Sequence, residues 1–489
     1  MLDTSYRAPA SAPSGPTGRV CDFVASIELN DVPQQVRTNA KHLILDGIAC
    51  ALVGAQLPWS RTATKAILEM EGPGNCTVIG WNQRLNPMSA TILNSTFVQG
   101  FELDDIHPDA PWHANSVILP SLFAAAEHSS RGMQGPKHFD GASFLLSTMV
   151  GFEIGSRVGL ALYGSEMLSR GWHSGAVFGP PAAAAAVSKL LGLSPEQIED
   201  AFGTACTQAC GLTASRFESM AKRMQHGFAA RNGLFAALMS RESYTGIDKV
   251  FERPHGGFLS TFGNGSNHEE HYLPAKLTDG LGGEWKGISG MRVKPYASQI
   301  STHAPINCIE VLQQQYPERF ADLESIQKIT IKTAEAPYAH GGHQVRRPLN
   351  ALGAQMSTQY TAAAQLLDGS VLMDQFKSAN LDRDDLWHLV EKTECVWDRE
   401  FDELSAWHTR VTVDFGKGYT VSHEVSGPRT YDDPLSNEGI RSKWSMLADS
   451  VLSEGRKAQI EEIVLNMEKL DDISQLIRLL ETEVKNPID

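Results

Sequence analysis

Four short stretches of the sequence combine ionisable side chains with glycine, proline or aromatic neighbours. The first, GFELDDIHPDAPWHANSVILP at residues 100–120, places four carboxylates and two histidines in a loop between apolar, helix-like segments. Histidine titrates near neutral pH, so such a loop suits proton transfer. Metal binding is the alternative, but the spacing of His107 and His113 matches no strong metal motif, and we predict no metal site. A helix cap or a surface acid cluster is the structural interpretation.

The other three stretches supply cations and further histidines. His173 lies in SRGWHSGAVFGPPAAAAA, just ahead of an alanine-rich helix, and a helix N-terminus offers unpaired N–H groups to a carboxylate. The third stretch is SMAKRMQHGFAARNG and the fourth is GMRVKPYASQISTHAPIN. Their candidate side chains are Lys222, Arg223, His226, Lys294, Gln299 and His303. Each stretch also has a structural interpretation, as a half-buried histidine beside a tryptophan or as a solvated helix face.

Composition and charge narrow the class of protein. With 42% hydrophobic and 20% charged residues, the chain matches an ordinary globular protein rather than a disordered or fibrous one. Its net charge of -15 argues against nucleic acid or an acidic membrane surface as a partner, since both repel an acidic protein. A small anionic substrate is still allowed, provided that it meets a local cluster of positive charge.

The cysteines and the termini indicate a cytoplasmic protein. There are seven cysteines, an odd number, mostly set among apolar residues, which is typical of reduced thiols in a cytosol-like compartment. The leader MLDTSYRAPASAPSGPTG has no apolar core like that of a signal peptide, and no run is apolar enough to predict a membrane span. The closing KNPID matches no targeting signal that we recognise.

The elements that must position these side chains fall into two domains, as the length of 489 residues favours. We predict a disordered leader at 1–18, a helical domain at 19–290 and 431–489, and an α+β domain at 291–430. Helical spacing dominates the first part, and SPEQIEDAFGTACTQACGL opens with a capping box at Ser194 and Gln197. Alternation in IQKITIKTAEA predicts a strand, and TRVTVDFGKGYTVSHEV predicts a hairpin that turns at 416–418. The residue patterns alone indicate a two-domain enzyme for an anionic substrate.

Taken together and in order, the stretches resemble the MmgE/PrpD family of cis-aconitate decarboxylases and 2-methylcitrate dehydratases, and most of all its fungal decarboxylases. The similarity lies in LILDGIACALVGA, ELDDIHPDAPWHANSVILP, GWHSGAVFGPPAAAAA, ACTQACGL, KRMQHGFAARNGL and MRVKPYA...STHAPI. The resemblance implies a mainly α fold, with a large helical domain and an inserted α+β lid. It also implies a homodimer through the helical domain, no metal or organic cofactor, and a site between the domains.

The resemblance also implies roles for individual residues. His113, His173 and Lys222 match catalytic positions of the family, with His113 as the expected proton donor. The expected substrate-binding residues are Glu102, Asp105, Arg223, His226, Lys294, Gln299 and His303. Ser298, Gln299 and Gln344 depart from the decarboxylase pattern around the substrate's end groups, so they bear on substrate identity.

The resulting expectation is a lyase that decarboxylates cis-aconitate, or an alkylated analogue, to itaconate. Dehydration of an alkylcitrate is the first alternative, because it needs the same enolate-like charge to be stabilised. An isomerase or epimerase of a small dicarboxylate is the second, since one acid/base pair can move a proton reversibly. A catalytically inactive binding protein is the third, against which the intact His113, His173 and Lys222 argue.

Overall fold

The computed structural model describes residues 9–130, 137–216 and 219–489, and this part of the chain is mainly helical with small sheets. The helices are α1 (Pro16–Ser26), α2 (Gln34–Gly54), α3 (Pro58–Met70), α4 (Pro87–Val98), α5 (Ala114–Ser129), α6 (Gly141–Ala161), α7 (Ser174–Leu191), α8 (Pro195–Cys206), α9 (Ala221–Arg241), α10 (Phe258–Gly263), α11 (Lys286–Gly290), α12 (His303–Gln315), α13 (Pro317–Phe320), α14 (Glu335–Gly341), α15 (Ala351–Gln355), α16 (Thr358–Asp368), α17 (Ser378–Leu381), α18 (Asp384–Lys392), α19 (Arg399–Leu404), α20 (Arg429–Asp432), α21 (Asn437–Asp449), α22 (Glu454–Leu465) and α23 (Ser474–Glu481). The strands are β1 (Cys76–Val78), β2 (Gln83–Leu85), β3 (Asp105–Ile106), β4 (Arg292–Val293), β5 (Lys328–Thr333), β6 (Thr393–Trp397), β7 (Thr409–Asp414) and β8 (Thr420–Val425).

The chain forms two compact units. The first comprises the described residues of Met1–Gly100, Asp104–Arg292 and Ser436–Asn486. The second comprises Phe101–Leu103, Val293–Leu435 and Pro487–Asp489. The C-terminal helices thus belong to the first unit, where α21 and α22 pack on α2.

Helix α7 forms the centre of the first unit, in contact with α5, α6, α8 and α9. Its run Ala182–Ala186 is fully buried, and small side chains let the neighbouring backbones approach closely. A Cβ at Gly233 on α9 would lie 2.4 Å from the Cβ of Ala183, so this close approach requires glycine. The helix ends at Gly192 in the left-handed conformation, and α8 then begins with the predicted capping box of Ser194 and Gln197.

Among the described residues, one helix, α6, has the length and apolarity of a membrane span, and there are two such spans if the bent pair of α2 and α3 is counted as one. The apolar window of α6 is 94% buried inside the protein. Helix α6 packs on α5 and α7, which is the position of a core helix.

The predicted disordered leader at 1–18 needs a correction for its described part, residues 9–18. Helix α1 already begins at Pro16. The hydroxyl of Ser11 donates to Glu199 at 2.8 Å, and the backbone N–H of Thr17 donates to Glu252 at 3.1 Å. These two carboxylates order the segment, although its composition is that of a linker. The remaining leader, residues 1–8, lies outside the described residues.

The second unit contains a four-stranded sheet in the order β6-β5-β7-β8. Strands β5 and β6 are parallel, whereas β7 is antiparallel to both β5 and β8. Ile329 pairs with Val413, which in turn pairs with Val421, so apolar side chains line one face. The β7–β8 hairpin turns at Gly416 and Gly418, both with φ of +78°, as the sequence predicts. Helix α12 packs on β7 and β8.

Residues 101–103 belong to the second unit, although the sequence predicts them within the helical domain. The carbonyl of Phe101 accepts a hydrogen bond from Gln355 at 2.8 Å, and its ring packs edge-on against Phe376. Glu102 forms an ion pair with Lys294. These long-range contacts leave no periodic signal in the sequence, which is why the pattern assigns the segment to its sequence neighbours.

Candidate active site

Three histidines of the first unit, two at the starts of helices and one within a helix, lie side by side. His113 immediately precedes α5, His173 immediately precedes α7, and His226 lies on α9. The ring centre of His226 is 5.2 Å from that of His113 and 4.9 Å from that of His173. The first unit therefore brings together three predicted site residues that are far apart in the sequence.

The start of α5 and the start of α7 flank this histidine row. Both helices are long, with 16 and 18 residues, and neither has an acidic residue in its first turn. The unpaired N–H groups and the partial positive charge of a helix N-terminus favour a carboxylate ligand. The arrangement thus suits an anion that carries several carboxylates.

The side chain of His113 is held by its Nδ1 atom. Nδ1 lies 2.6 Å from the carbonyl oxygen of Asp105 and 3.1 Å from Oδ2 of Asp104. Because the Asp105 carbonyl can only accept a hydrogen bond, Nδ1 carries a proton and donates it. Nε2 is then the ring nitrogen that exchanges a proton with a substrate.

Asp105 contacts both His113 and the start of α5, and its expected part in substrate binding stays a prediction. Its carboxylate oxygens accept from the backbone N–H of Asn115 at 3.1 and 3.2 Å, in the first turn of α5, and the side chain is fully buried. Burial, and then the charge of Asp104, raise the pKa of Asp105 well above its ordinary value, against the N–H of Asn115, which lowers it. With its oxygens on the helix start and its carbonyl on His113, Asp105 couples α5 to the histidine.

His226 occupies a cavity shaped by glycine. Its Nδ1 lies 3.0 Å from the hydroxyl of Ser116, whose Oγ also donates to the carbonyl of His113. A Cβ at Gly175, in the first turn of α7, would lie 2.1 Å from His226 Nε2. The glycine therefore lets the imidazole reach the start of α7, between the other two histidines.

The two cations at the start of α9 have different surroundings. Lys222 is buried and lies four residues before His226, so both side chains project from the same helix face. Arg223 donates through Nη1 to the carbonyl of Gln99 at 3.1 Å, and its guanidinium lies 4.5 Å from the ring centre of Trp59. These contacts favour a scaffold role for Arg223, which ties α9 to the end of α4.

His107 in the same loop is structural. Its Nδ1 accepts from the N–H of Ala110 at 3.2 Å, its Nε2 lies 3.2 Å from the carbonyl of Lys286, and a Cβ at Gly290 would lie 2.1 Å from Nε2. Burial lowers the pKa of His107 to about 4. It is therefore neutral at physiological pH and fastens the loop to α11. Among the described residues, no three His, Cys, Asp or Glu side chains are grouped as metal ligands.

In the second unit, Lys294 and Glu102 form a buried ion pair. Nζ of Lys294 lies 3.3 Å from Oε2 of Glu102, and each side chain is 2% exposed. Glu102 has a φ of +58°, a left-handed conformation that is uncommon for any residue but glycine. Strain of this kind persists where surrounding contacts fix it, as at a binding site.

Gln299 and His303 make hydrogen bonds within the second unit. The amide nitrogen of Gln299 donates to the carbonyls of His340 and Met356. His303 is fully buried, with Nδ1 3.2 Å from the hydroxyl of Thr430 and Nε2 3.2 Å from a backbone carbonyl in its own loop. These bonds join segments of the second unit to one another. The expected substrate-binding roles of both residues stay predictions.

Comparison with known proteins places the chain in a family. The model of the MmgE/PrpD N-terminal domain matches residues 18–271, and that of the MmgE/PrpD C-terminal domain matches residues 296–469. The chain belongs to the MmgE/PrpD family. It is 48% identical to the cis-aconitate decarboxylase-like protein oryM of Aspergillus oryzae over 97% of this chain and 99% of that protein. It is 42% identical to a cis-aconitate decarboxylase of Aspergillus terreus over 99% and 100%, and 26% identical to that of Homo sapiens over 94% and 92%.

Several residues of this MmgE/PrpD chain that shape the histidine row were not among the predicted site residues. They are Asp104, Asn115, Ser116 and Gly175. Asp104 is visible in the sequence as part of a run of acids, but nothing distinguishes it there from Asp105. The other three have no ionisable side chain, and only their contacts reveal them.

Proposed function

We propose that this protein is a carboxy-lyase that converts cis-aconitate to itaconate. The observation that carries the proposal is His113, whose Nδ1 is bonded to the Asp105 carbonyl and faces the Asp104 carboxylate, so that Nε2 is left for the substrate. The relatives named cis-aconitate decarboxylase, at 42% identity over nearly full length, support this substrate.

The proposed reaction breaks one carbon–carbon bond and makes one carbon–hydrogen bond. The carboxylate on the CH₂ arm leaves as carbon dioxide, and its electron pair delocalises into an allylic carbanion conjugated with the remaining carboxylates. His113 Nε2–H then protonates the former vinylic carbon, which gives itaconate, and solvent returns the proton to the histidine.

The charge that develops in this step needs fixed positive partners. Lys222 and the N-termini of α5 and α7 are fixed by the fold before the substrate arrives, and such preorganised groups are often the largest contribution to catalysis. His173, at the start of α7, is proposed to bind or polarise a substrate carboxylate. His226 is proposed to keep the two other imidazoles in place, through its contacts with both rings.

In the second unit, Lys294 is proposed as a further substrate cation. Its burial and its 3.3 Å contact with Glu102 fix the position of the ammonium group, which supports that role. Gln344 lies in a polar groove of about 600 Å³ in the same unit, together with Tyr338 and Cys395. Its part in substrate choice stays a prediction.

The test incubates the purified protein with cis-aconitate and, separately, with 2-methylcitrate in deuterated water, and follows the products by proton NMR. Itaconate carrying one deuterium is the expected product, and His113→Gln is expected to abolish it while substrate still binds. 2-Methylaconitate from the second incubation, with cis-aconitate unchanged, would make the protein a dehydratase. Deuterium exchange without net product would indicate an isomerase, and binding without any turnover an inactive family member.

The homodimer and the cytoplasmic location are also proposals. Phe228 and Phe235 lie two turns apart on α9 and are 36% and 40% exposed, which supports an interface through the helical unit. Sedimentation equilibrium of the wild type at micromolar concentration is expected to give twice the chain mass of 53.3 kDa.

A further inference from the structure

A buried ion pair lies on helix α2, outside the set of predicted site residues. Nζ of Lys443 on α21 is 2.7 Å from Oδ1 of Asp46 on α2, with side chains 5% and 1% exposed. A buried ion pair is seldom more stable than apolar side chains of the same volume, because both charges must lose water. A gain in stability therefore does not explain why this ion pair is present. Its position relative to His113 is more informative.

Helix α2 contacts the start of α5 directly beside this pair. The side-chain Nδ2 of Asn115 donates to the carbonyl of Leu43 at 2.8 Å, three residues before Asp46. A Cβ at Gly47, the residue after Asp46, would lie 2.6 Å from Cγ of Asn115. Asn115 thus packs against the turn of α2 that carries Asp46.

Asn115 connects this turn of α2 to His113 through Asp105. Its backbone N–H donates to the Asp105 carboxylate, and the Asp105 carbonyl lies 2.6 Å from His113 Nδ1. Leu43, Asp46, Asn115 and Asp105 are each at most 3% exposed, so the geometry of this route cannot relax into solvent.

Electrostatic interactions also link the Lys443–Asp46 pair to the surroundings of His113. Burial lowers the pKa of Lys443, but the Asp46 carboxylate, followed by Cys50 and Asp104, raises it, and the net direction is upward. Burial raises the pKa of Asp46, Lys443 opposes this, and the charge of Asp104 raises it further. The charges of Lys443, Asp46 and Asp104 thus act on one another, and Asp104 in turn lies 3.1 Å from Nδ1 of His113.

We propose that Lys443 and Asp46 are positioning residues of the active site, which seat Asn115 and set the charge at Asp104, the carboxylate beside His113. Neither residue touches substrate. Among the described residues, the titratable groups that interact with the charge of Asp104 or lie against His113 include Asp46 and Cys50 from α2, Lys443 from α21, Asp105 from the loop, and His226 from α9. The inference rests on the proposed decarboxylation, in which Asp104 is active as a carboxylate.

The test compares the pH profiles of kcat for Lys443→Gln and Asp46→Asn, two changes that remove opposite charges and leave an amide to hydrogen-bond the partner. Without the lysine, Asp104 takes up a proton more readily, so the acidic limb of the profile moves to higher pH, by roughly one unit. Without the Asp46 carboxylate, the limb moves to lower pH. The double variant restores the limb to near its wild-type position, and KM stays within about twofold throughout, because no charge in direct contact with substrate is removed.

If the ion pair is purely structural, the variants have lower melting temperatures while the acidic limb stays in place, or the limbs of both variants move in the same direction. Either outcome overturns the proposal. If Lys443→Gln does not fold, Asp46→Asn decides alone, since loss of packing does not shift the limb towards lower pH. A wild type without turnover contradicts the proposed function rather than the network. In that case, the ring titrations of ¹³C-labelled His113 in the two variants must move in opposite directions, and equal movement overturns the network.

Discussion

Nδ1 of His113 lies 3.1 Å from Oδ2 of Asp104, a carboxylate that is fully buried. Nδ1 donates to the Asp105 carbonyl, which fixes the tautomer and the orientation of the imidazole, and the Asp104 carboxylate lies beside the same nitrogen.

Replacement of Asp104 by asparagine is expected to lower kcat by at least roughly tenfold, the scale on which carboxylates that orient an active histidine act. The fall is expected in kcat rather than in KM, because Asp104 lies beside His113 Nδ1 and is not proposed to touch substrate. Asp109→Asn is the matched control, since Asp109 lies in the same loop and is exposed. An unchanged kcat in Asp104→Asn would mean that the Asp105 carbonyl alone orients His113.

The second prediction concerns Lys222. Lys222→Ala is expected to reduce kcat/KM by roughly 10- to 150-fold, the range for a hydrogen bond to a charged group, while the melting temperature stays near that of wild type. Lys65→Ala, on the exposed face of α3, is the control for the loss of one positive charge. A protein that unfolds on substitution of Lys222 would show that the buried lysine is structural.

The local features of the fold were accessible from the sequence, because neighbouring residues produce them. The capping box of Ser194 and Gln197 and the glycines at 416 and 418 follow from the conformational preferences of single residues. The sequence does not predict the short strand β6, because TECVW carries little alternation and its partner residues on β5 are 64 positions away in the chain.

The site could be predicted only as a set of residue types. A buried histidine with hydrogen bonds to both ring nitrogens, such as His303, and one that is held through Nδ1 with a proposed role for Nε2, such as His113, have the same letter in the sequence. The sequence likewise does not show that the Asp105 carboxylate accepts from the backbone N–H of Asn115 at the start of a helix. The Lys443–Asp46 pair spans almost 400 residues of chain, and no spacing rule reaches that far.

The third prediction tests His226 through its glycine neighbour. Gly175→Ala places a methyl group 2.1 Å from the present position of Nε2, so the imidazole must move and its contacts with His113 and Ser116 change. We expect kcat/KM to fall at least about tenfold with a moderate loss of stability. Gly455→Ala in α22, where a Cβ meets open space, is the matched control and should be neutral or slightly stabilising. Full activity in Gly175→Ala would show that the position of His226 is unimportant.

The last prediction concerns stability in acid. His107 has a pKa of about 4 in the folded protein, lowered by burial from 6.5. Between about pH 6.5 and 4, the unfolded chain therefore binds a proton that the native protein does not, so the free energy of unfolding falls as the pH falls through this window. The total loss of unfolding free energy from this group is roughly 3 kcal/mol, reached near pH 4.

His107→Gln keeps a donor for the Lys286 carbonyl and an acceptor for the Ala110 N–H, but does not titrate. Its unfolding free energy, from urea titrations at pH 7, 6, 5 and 4.5, is expected to depend less steeply on pH than that of wild type, whereas the exposed control His255→Gln keeps the wild-type slope. Equal slopes in all three proteins would mean that His107 is protonated in the native state, and that its bond to the Lys286 carbonyl, not its neutrality, holds the loop.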